Sequence, residues 1–140
     1  MEWEKDGYLI STDPDLLDIN RICRWLHGSY WAAARSRELI ERSIRHSIPF
    51  GLYRESSQIG FARLVTDYAT FAWFCDVIID PVHRGTGLGK WLVDCAMSHP
   101  DISTSMKLLR TRDAHGLYEQ YGFAKVECMM RQAPTPSIES

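Results

Sequence analysis

The spacing of apolar positions changes twice along this chain, and the changes mark out its elements. Residues 8–11, Tyr-Leu-Ile-Ser, predict a short opening strand. Asp13 followed by Pro14 reads as a helix cap with proline in the first turn, where its missing N–H leaves nothing unpaired. Leu16, Ile19, Cys23 and Leu26 then recur at spacings of three and four, predicting an amphipathic helix that Gly28 ends. Ser36 caps a second helical pattern with Leu39, Ile40, Ser43 and Ile44 on one side, and Pro49 closes it. From residue 50 the period falls to two. Residues 50–54 and 58–66 predict an antiparallel hairpin about the polar turn 55–57, and Asp67-Tyr68 makes the next turn. Residues 71–79 are almost unbroken apolar, as in a central strand covered on both faces, and Asp76 interrupts them.

A glycine-rich turn at 84–89 then opens a third helix with Leu88, Trp91, Leu92, Cys95 and Ala96 inward. Residues 106–111 predict a fifth strand. Asp113 caps a short helix carrying Leu117, Tyr118 and Tyr121, which Gly122 stops. In residues 123–130, Ala124, Val126, Cys128 and Met130 alternate with Lys125 and Glu127, predicting a last strand. The order β-α-α-β-β-β-α-β-α-β predicts one mixed α/β domain over residues 1–130, with a mostly antiparallel sheet flanked by helices, and a flexible tail at 131–140.

Composition narrows the function classes. The chain has 140 residues, 45% hydrophobic and 24% charged, which suits one folded domain. Sixteen Lys plus Arg against 18 Asp plus Glu give a net charge of −2, without the basic excess that binding to nucleic acid requires. No apolar run approaches the roughly 18 residues that would span a bilayer. The charged start carries no apolar run of a secretory leader, so a cytoplasmic location is expected. Cys23, Cys75, Cys95 and Cys128 are too far apart for a zinc knuckle and read as core hydrophobes.

The chemistry concentrates in the turn Arg84-Gly85-Thr86-Gly87-Leu88-Gly89-Lys90. Glycines let backbone N–H groups converge on one point, and a helix start adds unpaired donors with about half a unit of positive charge. Together they make a place for a phosphate or pyrophosphate, with Arg84 and Lys90 as flanking cations. A Walker loop is excluded, because only three residues separate Gly85 from Gly89 and Trp91 stands where Ser or Thr would bind magnesium. A dinucleotide fingerprint is excluded too, since Lys90 occupies its third glycine.

What remains is R-x-x-G-x-G, met by Arg84, Gly87 and Gly89, together with Leu117-Tyr118-Glu119-Gln120-Tyr121-Gly122-Phe123 some 30 residues later. In these motifs and in its element order the chain resembles the GNAT superfamily of acyl-CoA-dependent N-acyltransferases over residues 7–130. The resemblance implies acetyl-CoA as acyl donor, with no metal. It places the pyrophosphate on the backbone of Arg84, Gly85, Thr86, Gly87, Leu88, Gly89 and Lys90, and the pantetheine arm along Val77, Ile78 and Ile79. One strand N–H there would polarise the thioester carbonyl as an oxyanion donor. Tyr118 would contact the donor and protonate the departing thiolate.

The family's strand-borne base has no counterpart here, since Trp73 and Cys75 occupy those positions. Asp76 is the nearest carboxylate, as base or as a structural acid. For the acceptor, Tyr30 and Trp31 between the first two helices, with Asp67 and Tyr68 at the hairpin end, suit a cationic amine through cation–π contact and ion pairing. The implied partner is a small-molecule amine or a protein amine, acted on by a monomer or homodimer, with no nucleic acid and no membrane. The alternative is a non-catalytic acyl-CoA sensor of the same fold.

Overall fold

A hairpin absent from the sequence reading opens the chain. β1 (Glu2–Lys5) pairs antiparallel with β2 (Tyr8–Ser11). Asp6 and Gly7 between them have φ of 51° and 83°, the left-handed pair that a two-residue primed turn demands. β1 is short and mostly exposed, so it has no apolar alternation to betray it. The structure is a computed structural model and describes residues 1–134.

Asp13-Pro14 starts only a 3-10 turn, Pro14–Leu16. The helix proper, α1 (Ile19–His27), is capped by Asp18, whose carboxylate accepts from the Arg21 N–H at 3.0 Å. α2 (Arg37–Arg45) is capped by Ser36, as its position suggests. β3 (Ile48–Arg54), β4 (Ser57–Thr66) and β5 (Phe71–Ile79) form an antiparallel meander, with Pro49 inside β3 rather than ahead of it. α3 (Leu88–Met97), β6 (Met106–Leu109) and α4 (His115–Glu119) complete the described elements. The sheet runs β1-β2-β3-β4-β5-β6, and only the β5–β6 pair is parallel.

Each face of the sheet has its own core. On one, Ile10, Phe50, Leu52, Leu64 and Phe74 pack with Leu92, Val93 and Ala96 of α3. On the other, Ile22 and Leu26 of α1 and Ile40 and Ile44 of α2 cover Phe61 and Ile78. At roughly 1.5–3 kcal/mol for each large apolar side chain buried, these layers supply the main drive to fold.

β5 changes face part-way along. Ala72 and Phe74 belong to the α3-side core, whereas beyond Asp76 it is Val77 and Ile79 that pack there, and Ile78 turns to the helices α1 and α2. The β4–β5 register shifts between Phe61 and Arg63, and Asp76 has φ of 56°. One extra residue in a strand inverts the parity of everything after it, which is the effect of a β-bulge.

The predicted last strand is not there. Residues 123–130 have no regular secondary structure, and Val126, Met129 and Met130 are exposed. Alternation makes a segment eligible for a sheet, but it also needs a ladder and an apolar layer. Here β6 offers four residues, and residues 124–130 stay outside both cores. Residues 131–134 of the expected tail also lack regular structure, and 135–140 lie outside the described residues.

Candidate active site

The site begins where two strands part. β5 and β6 pair from Phe71↔Met106 to Phe74↔Leu109, where β6 ends and β5 continues to Ile79. The β6-facing edge of residues 75–79 is therefore left without a neighbouring strand, a row of backbone groups facing a cleft. Tyr118 stands at its closed end, with its ring edge-on to Phe74 at 6.3 Å and to Phe123 at 5.9 Å. Burial, and second the charge of Asp113, push its hydroxyl pKa up, so it remains protonated near neutral pH.

α4 is built differently at its two ends. Ala114, not Asp113, takes the N-cap position, and Thr111 Oγ1 accepts from the Ala114 N–H at 2.9 Å. The C-terminus follows the sequence reading. Gly122 has φ of 85°, its N–H reaches the Glu119 carbonyl, and Phe123 N–H reaches the Tyr118 carbonyl, a Schellman closure. That closure sets Phe123 against the Tyr118 ring.

At the far end of β5, Gly85 and Gly87 both take left-handed φ, 83° and 81°. Gly87 is the N-cap of α3 and offers no side-chain cap bond, so the first-turn N–H groups are uncapped donors. A Cβ added at either glycine would have nothing within 4 Å, so both backbones face open space. Arg84 Nε donates to the Ile79 carbonyl at 3.0 Å and Thr86 Oγ1 to the His83 carbonyl at 3.0 Å, which pins the turn to the strand end. Leu88 is turned into the core, so only its backbone is available. The donor set fits a pyrophosphate.

Lys5, which nothing in the sequence singled out, lines a cavity of ≈ 100 Å³ with Thr86, Gly87 and Trp91. It also borders a groove of ≈ 280 Å³ with Lys90, Asp94 and Tyr121. The turn's charge is thus reinforced by a lysine from the N-terminal hairpin, whose placement is purely tertiary. Tyr121 Oη donates to the Lys90 carbonyl at 2.9 Å and ties α4 to α3.

Asp76 does not have the surroundings of a general base. Its side chain is 1% exposed and accepts from Arg35 at 2.9 Å and Arg63 at 3.0 Å. Trp31 Nε1 donates to its other oxygen at 3.1 Å. A carboxylate bound by two guanidinium groups and an indole has no oxygen left for an incoming ammonium, so Asp76 is placed as a structural acid and not as the base. Cys75 beside it is no nucleophile either, because burial pushes its thiol pKa up to about 11.

The expected acceptor residues divide. Tyr30 and Trp31 do lie near the cleft: Trp31 bonds to β5 through Asp76, and its ring meets Tyr30 edge-on at 5.1 Å. Arg112, in the loop after β6, already sits 3.7 Å over the Tyr30 ring, so that face is not open to a substrate cation. Asp67 and Tyr68 lie before Phe71, a strand length of about 25 Å from the glycine turn. Asp67 instead folds its carboxylate back onto its own turn, accepting from Ala69, Thr70 and Phe71 N–H groups.

Comparisons with known proteins identify the family and the fold. A family model described as an acetyltransferase (GNAT) domain matches residues 45–125. A crystal structure from Xanthomonas campestris pv. campestris, described as belonging to the GNAT family, is 42% identical, with a TM-score of 0.88 over 94% of this chain and 96% of that one. A Gibberella zeae protein named as an acetyltransferase is 34% identical over 111 residues, 65% of this chain, and this chain spans 63% of its length. A GNAT-family acetyltransferase from Elizabethkingia anophelis with acetyl-CoA bound shares the fold, with a TM-score of 0.68 at 16% identity over 88% of this chain and 80% of that one.

Proposed function

Because the chain belongs to the GNAT acetyltransferase family, we propose that it moves an acetyl group from acetyl-CoA directly onto a primary amine. The observation that carries this reading is one strand serving two sites: β5 opens its edge to the cleft and then runs into the two left-handed glycines ahead of uncapped α3. Acetyl-CoA supplies an activated thioester. The turn 84–90 holds its pyrophosphate through backbone N–H groups, with Lys5, Arg84 and Lys90 as surrounding cations. Residues 77–79 direct backbone donors at the carbonyl oxygen, where negative charge grows as the amine attacks.

The ammonium first gives one proton to water, the neutral nitrogen then bonds to the carbonyl carbon, and as the C–S bond breaks the nitrogen releases a second proton to solvent. Tyr118 gives its hydroxyl proton to the departing sulfur and regains one from solvent. With Asp76 engaged elsewhere, proton removal runs through water rather than a side chain on β5. Fixed donors and proximity then account for most of the acceleration.

The test is acetyl-CoA titration followed by thiol release with spermidine, kanamycin, L-glutamate and an alanyl peptide. Saturable binding with amine-dependent release supports the transferase. Binding without turnover on every amine favours the sensor, and no binding refutes both.

A further inference from the structure

The buried acid that acyl transfer does not use has a role of its own. Asp76 joins three parts of the chain. Trp31 and Arg35 reach it from the α1–α2 connection, 45 and 41 residues away, and Arg63 reaches it from β4. Arg63 also donates to Ser47 Oγ at 2.9 Å, where α2 meets β3. Asp76 itself holds the left-handed φ of 56° at which β5 changes face. A non-glycine residue persists there only when its surroundings over-determine it, and here they do so through its carboxylate.

Residues 29–35 contain no helix or strand, yet they are tied at several points. His27 Nε2 lies 2.7 Å from the Arg35 carbonyl. Ser29 Oγ donates to the Leu26 carbonyl at 2.7 Å and accepts from the Ala32 N–H at 3.1 Å. Arg112 covers Tyr30 from the far rim of the cleft. One arginine already neutralises Asp76, because Arg63 is 11% exposed and hydrogen-bonded on two sides. The second arginine therefore adds position rather than charge balance, and what it positions is the segment that carries it.

Resting on the transferase reading, we propose that Asp76 and Arg35 are positioning residues for the acceptor. They clamp the 29–35 segment onto the β5 bulge, so that the cleft wall of Tyr30 and Trp31, with Arg112 over the Tyr30 ring, stays in register with the backbone donors at 77–79. The bulge that aims those donors and the anchor that seats the wall are the same residue. Donor and acceptor sites are thereby assembled as one rigid piece, and residues 29–35 form a fixed wall instead of a mobile flap.

Arg35→Gln tests this without stranding a buried charge, since Arg63 still pairs with Asp76. Hydrogen exchange should quicken at 29–35 and stay unchanged along β5. The KM for whichever of spermidine, kanamycin, L-glutamate or an alanyl peptide turns over should rise roughly tenfold or more, which corresponds to about 1.4 kcal/mol of lost amine binding. The acetyl-CoA Kd and kcat should stay within about twofold, which separates positioning from general damage. Arg35→Lys should recover part of the KM, and Trp31→Phe, which keeps an aromatic side chain but loses the indole N–H and its second ring, should show the same split. Unchanged exchange at 29–35, unchanged amine KM, or a parallel loss of acetyl-CoA affinity would overturn the proposal. Wild-type protein that binds no acetyl-CoA would overturn the transferase reading and this proposal with it, whereas normal binding with an unaltered amine KM overturns this proposal alone.

Discussion

Replacing Gly87 by alanine separates what the glycine does for the fold from what it does for a ligand. Its φ of 81° is left-handed, and a Cβ there would meet no protein atom within 4 Å. The cost to stability is therefore conformational strain alone, about 1–2 kcal/mol. For a chain of 140 residues, whose unfolding entropy is roughly 2 cal/mol/K per residue, that lowers Tm by about 3–7 °C. The methyl group would project into the space the N–H donors face. Losing one hydrogen bond to a charged phosphate is worth about 1.5–3 kcal/mol, or roughly 10- to 150-fold in acetyl-CoA affinity.

Gly89→Ala is the control within the same motif. Its added Cβ makes only an ordinary 3.9 Å contact with Ile79 Cγ1, inside a helix, so the change should stabilise by up to about 1 kcal/mol and leave affinity near wild type. Thermal unfolding and isothermal titration with acetyl-CoA read the two effects separately. A folded Gly87→Ala protein with wild-type affinity, or equal affinity losses in both variants, would refute the assignment of the pyrophosphate to this turn.

Tyr118→Phe preserves the ring contacts with Phe74 and Phe123 and removes only the hydroxyl. It should lower kcat roughly ten- to a thousandfold with little change in acetyl-CoA Kd, at the low end of general-acid effects because a thiol of pKa about 8.5 leaves readily; wild-type turnover would exclude the hydroxyl from the chemistry. His99 offers a pH test remote from the site. Burial holds its pKa below the usual 6.5, while its Nδ1 accepts from the Asp101 N–H at 3.1 Å, which requires the neutral ring. The unfolded chain therefore binds more protons as pH drops through 6.5, and stability should fall in that direction. In urea titrations between pH 7.5 and 5.5, His99→Asn, which keeps an acceptor for the same N–H, should show a shallower decline than wild type; equal slopes would refute the linkage.

Features of this protein that depend on a few consecutive residues were legible without coordinates. Gly87 and Gly122 lie where only a left-handed residue continues the chain, and both take that conformation. Ser36 caps α2, and the apolar run at 71–79 is β5, because caps and periodicities act over one or two turns of backbone. The two glycine-bearing motifs pointed to the family for the same reason.

Where the answer depended on residues far apart, the chain alone misled. Asp76 reads as an isolated acid, and its partners lie 13, 41 and 45 residues away. Lys5 reaches the glycine turn only because β1 folds back as a hairpin. Asp67 and Tyr68 precede β5 while the glycine turn follows it, so the strand's length separates them from that turn. At 123–130 the alternating pattern was present, but no ladder received it. Local conformation follows from sterics and hydrogen bonds within a turn of chain, whereas ion pairing, strand pairing and site assembly depend on which surfaces remain to be covered once the two cores have closed.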